Sequence, residues 1–232
     1  MKKGVFIETE NVTRFRAAVT VAEDTERGRP GMVMAFGEAG RGKTLAAENA
    51  FAESGGIYLR AWENWTQAAF LQRLCFEVAG VEPHGANRCK VKIMDTLGHQ
   101  AKTIYVDEAD RLHIGRLEDL RDIFDETGCP IVLIGEQGLP AKVAARGRIN
   151  DRIPREFRVP FEKVSTQDLG LYALEAADLK LDAPAVKALH RLCKGNFRQA
   201  HNLIQSLEQM ARAEETGTVG EKMVARLQGG KK

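Results

Sequence analysis

Apolar positions along this chain follow two regimes, and the change between them divides it. From residue 32 to about residue 160, short strand-like stretches at 32–36, 57–61, 103–106 and 131–135, of which the first and last are continuous apolar runs, alternate with stretches whose apolar residues fall three and four apart. Runs this short, bounded by glycine or charge, predict strands buried on both faces, and the stretches between them predict helices. The spacing of Val12, Phe15, Val19 and Ala22 predicts a helix over 9–27, ahead of Gly28-Arg29-Pro30-Gly31. Further helices are predicted over 45–51, 66–79, 88–100, 117–126 and 139–148, and a fifth strand over 156–159. Beyond Pro160 the pattern is helical only, over 166–178, 183–194 and 196–213. The expected architecture is an α/β domain over 1–162 with a parallel five-stranded sheet, then a small α-helical domain and tail over 163–232. The pattern does not decide whether Gly217 to Lys232 is a docking helix or a loose tail.

Composition narrows the class. A chain of 232 residues with 44% hydrophobic content can bury a sizeable core, which excludes disorder. Thirty-four Lys and Arg against 32 Asp and Glu leave a net charge of +2, so a nucleic-acid surface must come from local segregation. Cys75, Cys89, Cys129 and Cys193 form no C-x-x-C pair, which predicts reduced thiols and no metal ligation. The apolar patch Val5-Phe6-Ile7 ends at Glu8, too short for a signal segment, and no window approaches a membrane span. A soluble cytoplasmic protein without a membrane partner is expected.

The chemistry is concentrated after the first strand. Gly37-Glu38-Ala39-Gly40-Arg41-Gly42-Lys43-Thr44 has the spacing G-x-x-x-x-G-K-T, and Leu45 continues into a helix. Glycines let such a loop turn its N–H groups around a polyphosphate, the lysine faces the β- and γ-phosphates, and the threonine hydroxyl can ligate Mg²⁺. The third strand ends in Asp107-Glu108. A carboxylate at the C-terminal end of a parallel strand can face the metal, so Asp107 is the expected Mg²⁺ partner alongside Thr44, and Glu108 would polarise the attacking water. After the fourth strand, Glu136 or Gln137 could touch the γ-phosphate or that water. Four arginines, Arg146, Arg148, Arg152 and Arg155, fall within ten positions before the fifth strand, and Arg198 opens a helix after Gly195-Asn196-Phe197.

Together these motifs resemble an AAA+ ATPase across roughly residues 10 to 213. Within that superfamily the chain looks most like the MuB-type and TnsC-type ATPases of transposition. The features behind this are the lead-in Asn11-Val12-Thr13-Arg14-Phe15, two helices between the second and third strands, and the run 131–135 followed by Glu136-Gln137-Gly138-Leu139. The resemblance implies a P-loop NTPase core with a helical lid, ATP and Mg²⁺ as cofactors, Asn11 and Phe15 near the adenine, Glu136 or Gln137 at the sensor-1 position, and Arg198 as the sensor-2 arginine. It also implies that Arg148 or Arg152 completes a neighbour's site in trans, which requires head-to-tail self-assembly as a ring or helical filament. The implied partners are further copies of the chain, double-stranded DNA and a DDE transposase.

Contact with DNA would need a local basic surface, and Arg88, Lys90 and Lys92 at a helix start, helped by Arg60, are the best candidates; a solvated basic helix start is the alternative. Trp62 and Trp65 could stack on bases, although packing against the sheet edge is the stronger expectation. Two rival classes share the fold: a helicase-loader or replication-initiator ATPase, and a nucleotide-switched ATPase of the ExeA type that binds no DNA.

Overall fold

A computed structural model describes residues 1–2, 4–24 and 31–229, without the side chains of residues 228 and 229. The end of the predicted first helix at 25–27, the turn residues Gly28, Arg29 and Pro30, Lys3 and the last three residues lie outside that description. The chain divides into two compact units, one of residues 11–38 and 43–161, the other of residues 1–10, 39–42 and 162–232.

Along the first unit run α1 (Glu10–Glu23), β1 (Met32–Phe36), α2 (Lys43–Ser54), β2 (Ile57–Arg60), α3 (Gln67–Ala79), α4 (Ala86–His99) and β3 (Ile104–Asp107). Then follow α5 (Ile114–Thr127), β4 (Ile131–Gly135), α6 (Leu139–Ala144), α7 (Gly147–Asn150) and β5 (Arg158–Pro160). The strands form one sheet in the order β2-β3-β4-β1-β5, and every pairing is parallel. Met32 to Ala35, Ile104 to Val106 and Ile131 to Ile134 are all fully buried, which is why these strands read as continuous apolar runs rather than as alternation. Register places Phe36 of β1 beside Gly135 of β4, and Asp107 of β3 beside Arg60 of β2. The C-terminal ends of four strands therefore share one edge, and the segments leaving them can meet there.

Element boundaries differ from expectation where the local cap carries little signal. Helix α5 starts three residues before its predicted start because His113 caps it, Nδ1 accepting from the Gly115 N–H at 3.2 Å. The single helix predicted over 139–148 is two, since Arg146 has extended backbone (φ −131°) between α6 and α7. The fifth strand is shifted to Arg158–Pro160, behind a 3-10 turn at Arg155–Phe157.

The second unit contains α8 (Thr166–Ala177), β6 (Lys180–Leu181), α9 (Ala183–Cys193), α10 (Phe197–Ala213), β7 (Thr218–Val219) and α11 (Glu221–Gly229). Its helices announce themselves through side-chain caps. Ser165 forms a capping box with Asp168, Asp182 accepts from the Ala185 N–H at 2.7 Å, and Asn196 accepts from the Gln199 N–H at 3.1 Å. Over its described residues the segment whose character the sequence left open forms a strand and a helix: β7 pairs with β6, and α11 buries Met223 and Val224 in a core with Ala185, Leu189, Ile204 and Leu207. The four cysteines are free and buried, and burial pushes the Cys75 thiol up to about 11. Among the described residues no helix is long and apolar enough to cross a membrane.

Candidate active site

The loop that leaves β1 is built for close approach. Gly37 has φ +153°, and a Cβ there would sit 2.5 Å from the Phe161 carbonyl oxygen, so any side chain would push the loop off β5's exit. Lys43, the first residue of α2, folds back: its ammonium donates to Gly37 O at 2.7 Å and Glu38 O at 2.8 Å. Burial, the largest influence, pulls its pKa below the ordinary lysine value, against the opposing charges of Glu136, Asp107, Asp110 and Glu108. Among the described residues no carboxylate lies within ion-pair distance of it. A desolvated cation held only by carbonyls at a helix N-terminus is suited to a polyphosphate.

Asp107 is 2% exposed and oriented by three donors. Thr44 Oγ1 donates to its Oδ2 at 3.1 Å, Tyr58 Oη donates to the same oxygen at 3.2 Å, and the Glu108 N–H donates to Oδ1 at 3.0 Å. A hydroxyl and a carboxylate oxygen at this separation fit Mg²⁺, a hard cation that takes few protein ligands and completes its shell with phosphate and water. Among the described residues there is no group of three or more His, Cys, Asp or Glu able to hold a metal.

Tyr58 is a site residue that sequence reasoning missed, because one tyrosine in a strand belongs to no motif. Burial and the neighbouring Asp107 carboxylate push its phenol far above the ordinary tyrosine value, so it remains a donor at every physiological pH. Its place is that of a positioning residue for Asp107. Tyr58→Phe is expected to raise the Mg²⁺ concentration needed for half-maximal nucleotide-dependent stabilisation about tenfold, while metal-free nucleotide affinity stays unchanged. Thermal melts across a Mg²⁺ series check this, and coincident curves would remove Tyr58 from the site.

Glu108 occupies left-handed backbone (φ +58°), and both of its oxygens face guanidinium groups. Arg60 Nη2 lies 3.3 Å from Oε1 and Arg111 Nε lies 3.2 Å from Oε2. The expected base is thus held by cations and must release at least one to polarise a water. Asp110 joins this segment to the end of β4, its Oδ1 accepting from the Glu136 N–H at 2.8 Å. The side chains of Glu136 and Gln137 are exposed. Leu45 is 57% exposed on the first turn of α2.

Several expected contacts are placed elsewhere. Phe15 has no exposure and packs edge-on against Phe161 with centroids 5.9 Å apart, so its ring belongs to the core and presents no surface to an adenine. Asn11 is 6% exposed and accepts from Arg14 at 2.8 Å, while Arg14 also reaches Pro160 O. Lys90 is committed inward, 3.2 Å from Asp119 and 2.5 Å from Asp122 on α5, because the nearly buried Asp119 carboxylate needs cations; it is not available as a phosphate contact in this arrangement. Lys92 lies 3.3 Å from Asp95 on its own helix, and Arg88 is exposed.

Of the two favoured trans arginines, Arg152 is already engaged. It makes a two-pronged contact with Asp125 at 2.8 and 2.9 Å, which leaves Arg148, exposed on α7, as the better placed of the pair. Arg152 and then Arg121 hold the Asp125 carboxyl below the ordinary carboxylate range. A depressed folded-state pKa stabilises above the unfolded value, near 4, and the contribution is lost as pH falls through the lower folded value. Asp125→Asn is therefore expected to cost about 1 kcal/mol at neutral pH, with the gap to wild type closing on acidification toward about pH 3. Urea unfolding at both pH values measures it.

In the second unit, residues 39–42 of the same loop are fixed to the α9–α10 junction. The Phe197 N–H donates to Gly40 O at 2.7 Å, Asn196 Nδ2 donates to Ala39 O at 2.9 Å, and the Arg41 guanidinium donates to Lys194 O at 3.0 Å and also to Gly195 O. Gly40 has φ +77° and a Cβ would strike the Asn196 side chain. Arg41 is 5% exposed, so its side chain is a strut between the loop and that junction. The Gly195-Asn196-Phe197 segment was singled out for Arg198, yet its two preceding residues make the loop contacts, and Arg198 is exposed.

A family model described as an AAA domain matches residues 26–143. A Staphylococcus aureus protein named as a potential ATP-binding protein is 33% identical over 122 residues, 46% of this chain and 42% of that protein, so the match spans less than half of the relative. Among solved structures, a Thermotoga maritima RuvB variant aligns with TM-score 0.64 and 17% identity over 95% of this chain and 68% of that one. Domain III of the T. maritima replication initiation protein DnaA aligns with TM-score 0.60 and 18% identity over 96% and 92%. Aeropyrum pernix Orc1 in complex with DNA aligns with TM-score 0.60 and 16% identity over 96% and 65%. At these identities the likeness to solved structures is one of fold.

Proposed function

This chain belongs to the AAA domain family, and we propose that it is a Mg²⁺-dependent ATPase whose copies assemble head to tail on duplex DNA and present that DNA to a DDE transposase. The observation that carries the ATPase reading is the Thr44 hydroxyl 3.1 Å from the Asp107 carboxylate, beside the buried Lys43. The N–H groups of the loop and the Lys43 ammonium hold the phosphates, Thr44 and Asp107 hold the metal, and Tyr58 keeps Asp107 in place. Mg²⁺, when bound with the nucleotide, offsets charge on the phosphate oxygens. Glu108, once released from Arg60 or Arg111, accepts hydrogen-bonding from the attacking water and draws off its proton. Arg148 of one copy supplies positive charge to the site of the next, a contribution worth about 10³ to 10⁵ in rate for such arginines.

A finger in trans makes the contact between copies heterologous, so assembly yields a ring or an open helix. Support for DNA as the scaffold comes from Arg88, exposed at the start of α4, and from two proteins of similar fold, Orc1 in complex with DNA and RuvB, a Holliday junction branch migration motor. The transposition assignment rests on the sequence resemblance to MuB-type and TnsC-type ATPases. A replication-initiator role is the second reading, favoured by the 92% coverage of DnaA domain III.

Electron microscopy of the purified protein with a slowly hydrolysed ATP analogue, with and without duplex DNA, tests the assembly. Nucleotide-dependent helical coats on DNA are expected. Particles indifferent to both nucleotide and DNA would reject it and favour the ExeA-type switch.

A further inference from the structure

Trp62 is 67% exposed, an uncommon place for so large an apolar ring, and it does not pack against the sheet edge as the sequence suggests. It stacks on Trp65, with centroids 5.8 Å apart and planes 23° from parallel. Half-buried Trp65 in turn lies 6.2 Å from Phe70, which is fully buried. Three rings thus lead from the core to the surface, and the outer face of Trp62 ends the series.

Local chain geometry makes this a firm mount. The Ala61 N–H donates to Asp107 O at 2.8 Å, carrying the strand ladder one residue past β2. Ala61 is buried, so alternation puts Arg60 and Trp62 on the opposite, outward side. Asn64, at φ +69°, turns the chain back, and Thr66 caps α3 by accepting from the Ala69 N–H at 3.2 Å. A side chain already held by stacking loses little freedom when a ligand binds.

The surroundings define what fits. Within this turn the sequence neighbours Arg60, Glu63, Asn64 and Thr66 are polar and exposed, while Gln67 donates to Asp119 at 2.9 Å, so the apolar plane stands among polar positions. A protein anchor is normally set in a wider desolvated patch. A single plane among hydrogen-bonding groups suits a planar ligand with an apolar face and polar edges, and Arg60, 3.3 Å from Glu108 but with 61% of its side chain exposed, keeps donors open toward an adjoining phosphate. We propose that the outer face of Trp62 is a stacking platform for an unpaired nucleobase in single-stranded nucleic acid. Bases inside a duplex have both faces covered, so this site is separate from duplex coating and does not depend on it.

The chain has only two tryptophans, Trp62 and Trp65, so its indole emission reports on this stack alone. The test titrates a fluorescein-labelled oligo(dT) 20-mer, and a blunt duplex of equal length, into the full chain without nucleotide, following anisotropy and tryptophan emission. Wild type and Trp65→Phe should show quenching by the single strand. Trp62→Ala should bind it about tenfold more weakly, Trp62→Phe should recover most of the loss, and duplex affinity and basal ATP hydrolysis should not change. Single-strand affinity unaltered in Trp62→Ala, or an equal loss on the duplex, would overturn the proposal.

Discussion

Replacing Glu108 with glutamine is expected to lower ATP turnover by at least about 100-fold while leaving nucleotide affinity within about twofold. In the proposed mechanism the carboxylate draws a proton from water, and the amide keeps its size and part of its hydrogen bonding but cannot act as a base. Its two arginine partners, at 3.3 and 3.2 Å, lose their ion pairs, and with about a fifth of the Glu108 side chain exposed the effect on stability should be small. Because the proposed site binds the phosphates through the loop and Lys43, binding should survive, and any assembly that needs bound ATP should persist longer than in wild type. Phosphate release and fluorescent-nucleotide titration on the same preparation separate the two effects. Turnover within a few-fold of wild type would place the base on another residue.

Lys43→Ala acts one step earlier. In the proposed site its ammonium meets the β- and γ-phosphates, and charge-assisted contacts of this kind are among the strongest in water-poor sites. Nucleotide affinity should fall by about 100-fold or more. The apo protein should lose little stability, because removing the lysine also removes the penalty for keeping an ammonium 9% exposed among carbonyls. Differential scanning fluorimetry reads both quantities. Wild type should be stabilised by Mg-ATP by about 2.7 kcal/mol at a hundred times its Kd, and at the same concentration the variant should gain no more than about 0.4 kcal/mol. An equal shift in both proteins would remove Lys43 from the binding site.

Much of the sheet was legible because its strands are buried on both faces, so 32–36 and 131–135 appear as unbroken apolar runs. The loop and Asp107-Glu108 were legible for a different reason: their chemistry needs particular residue types at fixed spacing. What escaped was partnership. Lys90 reads as a free cation in one dimension, but Asp119 and Asp122 arrive from a helix some thirty residues later. Arg152 is occupied by Asp125 in the same way. Phe15 belongs to an apparently ligand-facing lead-in, yet Phe161, far along the chain, covers its ring. Tyr58 carries no motif at all and acquires its place only because parallel register brings β2 alongside β3. Trp62 ran against the general rule of aromatic burial, because the ladder runs one residue past β2 and alternation turns its ring outward, and the chain then turns back at Asn64 with positive φ at a residue other than glycine, a feature the pattern of apolar positions does not encode.

Phosphate release from ATP by the purified wild-type chain, followed with Mg²⁺ and then with excess chelator over a range of protein concentrations, tests the proposed activity most directly. Turnover should require the metal and rise more steeply than in proportion to protein, because a neighbouring copy supplies Arg148. Release that is indifferent to the chelator, or no greater than that of Lys43→Ala, would contradict ATP hydrolysis at Thr44 and Asp107.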